Sequence, residues 1–194
     1  MSHRGAGWLT RDTREQQEAS SELRRELRVR PGDVVCDVGA GTGYHSLPLA
    51  ATVGPGGRVI AVDIQPEMLE LLRARGKEAK VTNIDTIVGY ADDPKLPRGA
   101  CDLVLLVDVY HELADPEAML ARLAASLAPK GRLAIVEFRA EDPEIPIKDE
   151  HKMRKDRVIF ELNANGWELT NAHDGLPWQH LLFFRPSQGS PRAR

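Results

Sequence analysis

Short unbroken apolar runs alternate along the chain with segments whose apolar residues recur every three or four positions. The runs predict strands at Val34 to Val38, Arg58 to Asp63, Cys101 to Val107 and Arg132 to Phe138, and a short, weakly patterned segment, Ile84 to Val88, predicts one more. A strand needs apolar residues at every position, not alternate ones, when both of its faces are covered, as at the centre of a parallel sheet. The spaced segments predict helices. One runs from Thr13 to Leu27, with Leu23 and Leu27 on one face and Glu15 and Glu18 towards its positive end. A second resumes around Tyr44 with Leu47, Leu49 and Ala50, and a third opens at Pro66 with Met68, Leu69, Leu71 and Leu72. A fourth covers Pro116 to Leu127. Pro31-Gly32, the Gly54-Pro55-Gly56-Gly57 run and Pro129-Lys130-Gly131 punctuate them.

This alternation predicts an α/β fold: a Rossmann-like doubly wound sheet, mostly parallel, with helices on both faces. The C-terminal part reads differently. A charged, Pro-bearing loop (Arg139 to Lys148) precedes a helix from Lys152 to Ala164. Two strands follow, Trp167 to Ala172 and His180 to Arg185, joined closely enough to form an antiparallel pair at the sheet edge. The expected organisation is an N-terminal segment or lid helix over 1–28, one domain over 29–186 and a polar, disordered tail over 187–194.

Composition narrows the partners. With 194 residues, 42% of them hydrophobic, the chain can bury one substantial core. A net charge of −3 gives no reason to expect nucleic acid, and the local run of Arg24, Arg25, Arg28 and Arg30 reads as a solvated helix face. No apolar stretch approaches the length of a membrane span. Cys36 and Cys101 each sit beside an aspartate at a strand mouth without CxxC spacing, and read as small buried hydrophobes, neither disulfide-bonded nor metal-bound. With an N-terminus lacking an apolar leader, that predicts a soluble cytoplasmic protein. No metal-ligand set is expected.

The chemistry starts at CDVGAGTGYH, residues 36 to 45, where three alternate glycines follow the first strand. Such a strand-to-helix turn lets a ligand approach the backbone closely at the carboxyl edge of the sheet. A triphosphate loop would end in Gly-Lys-Ser/Thr, whereas this one ends Gly43-Tyr44-His45. The dinucleotide fingerprint GxGxxG has its third glycine one residue later, and Asp37 would repel a pyrophosphate. That carboxylate would suit a ligand carrying an ammonium and a sulfonium. Asp63, closing the second strand, is placed to accept hydrogen bonds from ribose hydroxyls or to cap the helix opening near Pro66.

DVGAGTG, AVDIQPEML, DLVLLVDVYHEL and APKGRLAIVEF, in this order over roughly residues 29 to 138, resemble the class I S-adenosylmethionine-dependent methyltransferases. The small-molecule enzymes of ubiquinone and menaquinone biosynthesis are the nearest type. The resemblance implies S-adenosylmethionine as cofactor and a small-molecule acceptor. It places Gly39, Ala40, Gly41 and Gly43 along the methionine part, with Asp37 near the ammonium. Asp63 would hold the ribose, Ile64 would lie against the adenine and Asp92 would meet its amino group, with Asp108 also in the cofactor set. Tyr90 stands where the family often has an acid.

Methyl transfer from a sulfonium is an in-line displacement that asks the protein mainly for alignment and, where required, a base. His111, with Tyr110 beside it, is the catalytic candidate: an imidazole can take a proton from a hydroxyl, thiol or amine, with Glu112 or Asp108 orienting it. The other reading of this segment is a polar loop before a helix capped by Asp115. Glu137, His151 and His180 are further pocket candidates, Trp178 is a core or pocket residue, and the segment around Trp8 is a lid or a leader. A dehydrogenase using an NAD-type cofactor and a non-catalytic S-adenosylmethionine-binding protein are the alternatives.

Overall fold

The computed structural model describes residues 5–187, so most of the tail expected to be disordered lies outside the described residues. Three short N-terminal helices, α1 (Ala6–Leu9), α2 (Arg14–Glu18) and α3 (Ser20–Glu26), lead into β1 (Val34–Val38) and α4 (Ser46–Val53). Then come β2 (Arg58–Asp63), α5 (Pro66–Glu78), β3 (Ile84–Val88), β4 (Cys101–Val107), α6 (Pro116–Ser126) and β5 (Leu127–Arg139). The C-terminal part supplies β6 (Lys152–Met153), α7 (Lys155–Ala164), β7 (Trp167–His173) and β8 (Gln179–Pro186).

The sheet runs β3-β2-β1-β4-β5-β8-β7, with β6 added beside the end of β5. β1 through β5 pair in parallel, while β8 runs antiparallel to both β5 and β7. The order reverses at β1, flanked by β2 and β4, which opens a crevice at the carboxyl edge there. The last strand is therefore internal and β7 takes the edge.

Both faces of the central strands are covered, which explains their unbroken apolar sequences. Cys36, Ile60, Val104 and Leu106 pack with Met119, Leu120 and Leu123 of α6 and with Val158 and Leu162 of α7. The residues between them, Val35, Val59, Leu103 and Leu105, pack on the other side with Leu23 of α3 and Leu49 and Val53 of α4.

Three expectations are corrected. The helix predicted over Thr13 to Leu27 breaks at Ala19, which is left-handed at φ 47°. That costs a non-glycine residue about 1–2 kcal/mol. The turn lets α2 direct Glu18 inwards while α3 turns Leu23 onto the sheet. Pro129-Lys130-Gly131 lies within β5 instead of before it, at the register irregularity between Cys101 and Leu103 of β4. A Cβ on Gly131 would lie 2.4 Å from the Cys101 carbonyl oxygen, so only glycine permits this approach. Finally, Cys36 and Cys101 form a fully buried disulfide, with Cα atoms 5.8 Å apart. Strand order brings β1 beside β4, and both cysteines fall on the face covered by α6. The step from unpaired thiols to a reducing compartment loses its basis.

Candidate functional site

A cavity of about 470 Å³ opens at the carboxyl ends of β1, β2, β4 and β5, bounded by Gly39, Asp63, Asp108 and Phe138 among others. Its glycine wall is a cradle. Gly39 and Ala40 donate to the Val62 carbonyl at 2.8 and 2.9 Å, curling the chain away from β1. Gly39 (φ 77°) has no room for a Cβ, which would lie 2.3 Å from Val109, and one on Gly41 would meet Leu9 of α1 at 2.9 Å. Asp63 braces this turn: one oxygen accepts from the Gly41 amide and the other from the Gln65 amide, both at 2.9 Å. It closes the loop and caps the approach to α5 while lining the cavity.

The floor is acidic. Asp108, at φ 54° after β4, accepts two hydrogen bonds from Gln179 Nε2, at 2.9 and 2.8 Å. Burial holds its carboxyl well above the usual carboxylate range, with the charges of Glu18 and Glu137 adding to the effect. Glu18 lies buried between Arg11 (2.6 Å) and Arg14 (2.7 Å). Behind the loop, burial raises Asp37 to about 6 against a 2.5 Å hydrogen bond from Ser46, and nearby Asp63 adds to the rise. Both rises come mainly from burial, which disfavours the charged form, with neighbouring carboxylates adding to it.

The N-terminal segment forms part of the wall. Trp8 and Leu9 line the cavity, and Arg11 and Arg14 donate to the Trp8 and Leu9 carbonyls at 2.9 and 2.7 Å. Those same arginines grip Glu18, so α1 is latched to the buried acid.

His111, Glu112 and His151 line another part of the wall, beside Leu113, Met119 and Ile147. Glu137, fully buried in β5, accepts from the His111 amide at 3.2 Å and from its Nδ1 at 2.6 Å. Burial opposes the imidazolium, but this hydrogen bond and the Glu137 charge outweigh it and hold His111 above the ordinary imidazole range. The other ring nitrogen, Nε2, lies 3.2 Å from Nδ1 of His151.

Of the expected site residues, Gly39, Gly41, Asp63, Ile64, Asp108, His111 and His151 come together around the cavity. Asp37, Ala40, Gly43 and Asp92 do not line it. Asp37 is spent on Ser46, Ala40 packs with Leu69 and Leu72, and a Cβ on Gly43 would strike Leu72 at 2.7 Å. Asp92 is exposed, and Tyr90, Ala91 and Pro94 form the wall in that loop. Tyr110 is buried in the core, donating its hydroxyl to Glu161 at 3.1 Å, and offers the cavity nothing. His180 is buried opposite Glu137 in the ladder, outside the cavity, and Asp115 caps α6 by accepting from Ala118. The sequence reading did not place Arg14, Glu18 and Gln179 at the site. The one signal for the first two was their i,i+4 spacing.

A family model described as a methyltransferase domain matches residues 30–179. The chain is 35% identical over 106 residues to nocamycin O-methyltransferase of Saccharothrix syringae, covering 55% of this chain and 38% of that one. It is 31% identical over 125 residues to demethylmenaquinone methyltransferase of Listeria welshimeri, covering 64% and 52%. The matches thus span about half the length of these relatives or less. In fold, the chain superposes on the crystal structure of a SAM-dependent methyltransferase from Aquifex aeolicus with a TM-score of 0.89 at 21% identity, covering 95% and 98% of the two chains.

Proposed function

The chain belongs to the methyltransferase-domain family, and from that premise we propose that it transfers a methyl group from S-adenosylmethionine to a small-molecule acceptor. The observation that carries this reading is the pairing of a side-chain-free glycine cradle with two acids, Asp108 and Glu18, in the cavity lining. The cofactor brings two positive groups, an ammonium and a sulfonium, and such a lining attracts them while repelling the pyrophosphate of a dinucleotide. The residues fit the cofactor: Gly39 and Gly41 would face its methionine part, Asp108 and Glu18 its positive charge, Asp63 its ribose and Ile64 with Tyr90 its adenine.

The bound sulfonium supplies an activated methyl group. The protein supplies alignment and exclusion of water, with Trp8 and Leu9 closing the cavity over the glycine loop. The acceptor enters on the His111 side, where Glu137 fixes the imidazole so that Nε2 faces the cavity. An oxygen acceptor suits that polar wall and agrees with the name of the nocamycin enzyme.

Isothermal titration with S-adenosylhomocysteine and with NAD tests the reading. Micromolar binding of the first and none of the second is expected, with loss of at least tenfold in Asp63→Ala. Binding of NAD instead, or unchanged affinity in Asp63→Ala, would overturn it.

A further inference from the structure

His111, Glu112 and His151 offer three ligand atoms that all lie within 4.8 Å of one another. We infer that these three side chains form a divalent transition-metal site on the acceptor wall of the cavity. His111 Nε2 and His151 Nδ1 are 3.2 Å apart. Two nitrogens bound tetrahedrally to one cation at ~2.0–2.1 Å lie about 3.3 Å apart, so the two rings already stand at chelating distance. A Glu112 carboxylate oxygen lies 4.0 Å from His111 Nε2, on a side chain exposed enough to close the remaining gap by a small rotation.

A second, independent feature points the same way. Glu137 is fully buried and has both oxygens committed to His111, one to its amide and one to Nδ1. In the neutral ring that places the proton on Nδ1 and leaves the Nε2 lone pair facing His151, an arrangement typical of the carboxylate behind a metal-bound histidine. Local structure supplies the other ligands: His111 and Glu112 sit on the turn Tyr110–Glu112 after β4, and His151 ends the turn Asp149–His151 before β6.

Two imidazoles and one carboxylate select a zinc-like or iron-like divalent ion over magnesium or calcium, which prefer oxygen ligands throughout. Three protein ligands leave a coordination position open, and all three residues line the cavity, so that position faces whatever shares it. Taken with the proposed methyltransferase reading, its occupant is an acceptor hydroxyl or enolic oxygen, and His111 then serves as a ligand instead of a base.

The test uses full-length protein stripped with a chelator and titrated calorimetrically with zinc chloride at neutral pH, with magnesium chloride in parallel. One zinc per chain is expected, with negligible heat from magnesium. His151→Ala, Glu112→Gln and Glu137→Gln should each weaken zinc binding roughly 10- to 100-fold while circular dichroism shows the fold retained. Cobalt(II) should give visible d–d bands in wild type that vanish in His151→Ala. Absence of zinc binding, equal binding of magnesium, or affinity unchanged in both His151→Ala and Glu112→Gln would overturn the inference. S-adenosylhomocysteine binding is measured on the same wild-type sample. Its absence would sink the cofactor reading and leave the cation result standing.

Discussion

Gln179 donates from a single amide nitrogen to both carboxylate oxygens of Asp108, joining the start of β8 to the turn after β4 across 71 residues of sequence. Asp108 lines the cavity together with Glu18, and the charges of Glu18 and Glu137 add to the rise in its pKa. Gln179→Leu removes the donor and leaves a buried carboxyl unsatisfied on that side. A loss of about 1–3 kcal/mol in urea denaturation is expected. Asp108→Asn should act in the opposite sense on the free protein, since it relieves repulsion, yet weaken S-adenosylhomocysteine binding at least tenfold. A variant that is both less stable and equally tight would contradict the role assigned to the acidic floor.

Asp37 makes the free protein less stable as pH rises. Its pKa stands near 6 in the folded state against an ordinary 3.8, because it is buried. Between those values the folded protein keeps a proton that the unfolded chain has shed, so the Asp37 contribution to stability is fully present below pH ~4 and is lost by about pH 6. At ~1.4 kcal/mol per pKa unit the loss is on the order of 3 kcal/mol. Asp37→Asn should flatten this fall and be relatively more stable at neutral pH. Ser46→Ala, which removes the 2.5 Å hydrogen bond to the charged form, should steepen it. Thermal melts of the three proteins from acid to neutral pH check both.

His180 contributes the opposite slope. Burial is the main cause that lowers its pKa to about 4 from 6.5, and its Nε2 has no hydrogen-bond partner among the described residues. The unfolded chain therefore binds a proton that the folded protein refuses, and stability rises with pH from ~4 to ~6.5, again by on the order of 3 kcal/mol. In wild type the two slopes oppose each other. His180→Gln should unmask the fall due to Asp37, giving a melting temperature that drops from acid to neutral pH more than in wild type.

The Cys36–Cys101 disulfide closes a loop with a sequence separation of 65. Constraining the unfolded chain over that length stabilises by up to about 4 kcal/mol in the chain-entropy account. The double variant Cys36→Ala/Cys101→Ala should lose about 2–4 kcal/mol. Intact mass under denaturing, non-reducing conditions should find the wild type two hydrogens lighter than after reduction. An unchanged mass would disprove the bond.

The limits of the central strands were legible because burial on both faces writes an unbroken apolar run, so β1 and β4 begin and end where the runs do. The helix break at Ala19 was not, since it depends on where Glu18 finds its arginines. At the site, residues next to the glycine turn or at a strand's end could be read from position alone, as Gly39, Gly41 and Asp63 were. Tyr110 and His111 are neighbours on one tight turn that aims them in different directions, and composition does not tell which faces the cavity. The His111, Glu137 and His151 cluster joins residues 26 and 40 positions apart. Only the adjacency of β4, β5 and β6 brings them together.

The insertion of β8 between β5 and β7 also bears on how the protein is made. Until the ribosome has released the residues up to Pro186, β5 offers an unpaired, strongly apolar edge and Asp108 lacks its Gln179 partner. A nascent chain ending before β8 therefore has most of the sheet but an open flank of the kind that recruits chaperones or neighbouring strands. Asp108 gains its Gln179 partner only after β1 through β7 have been made.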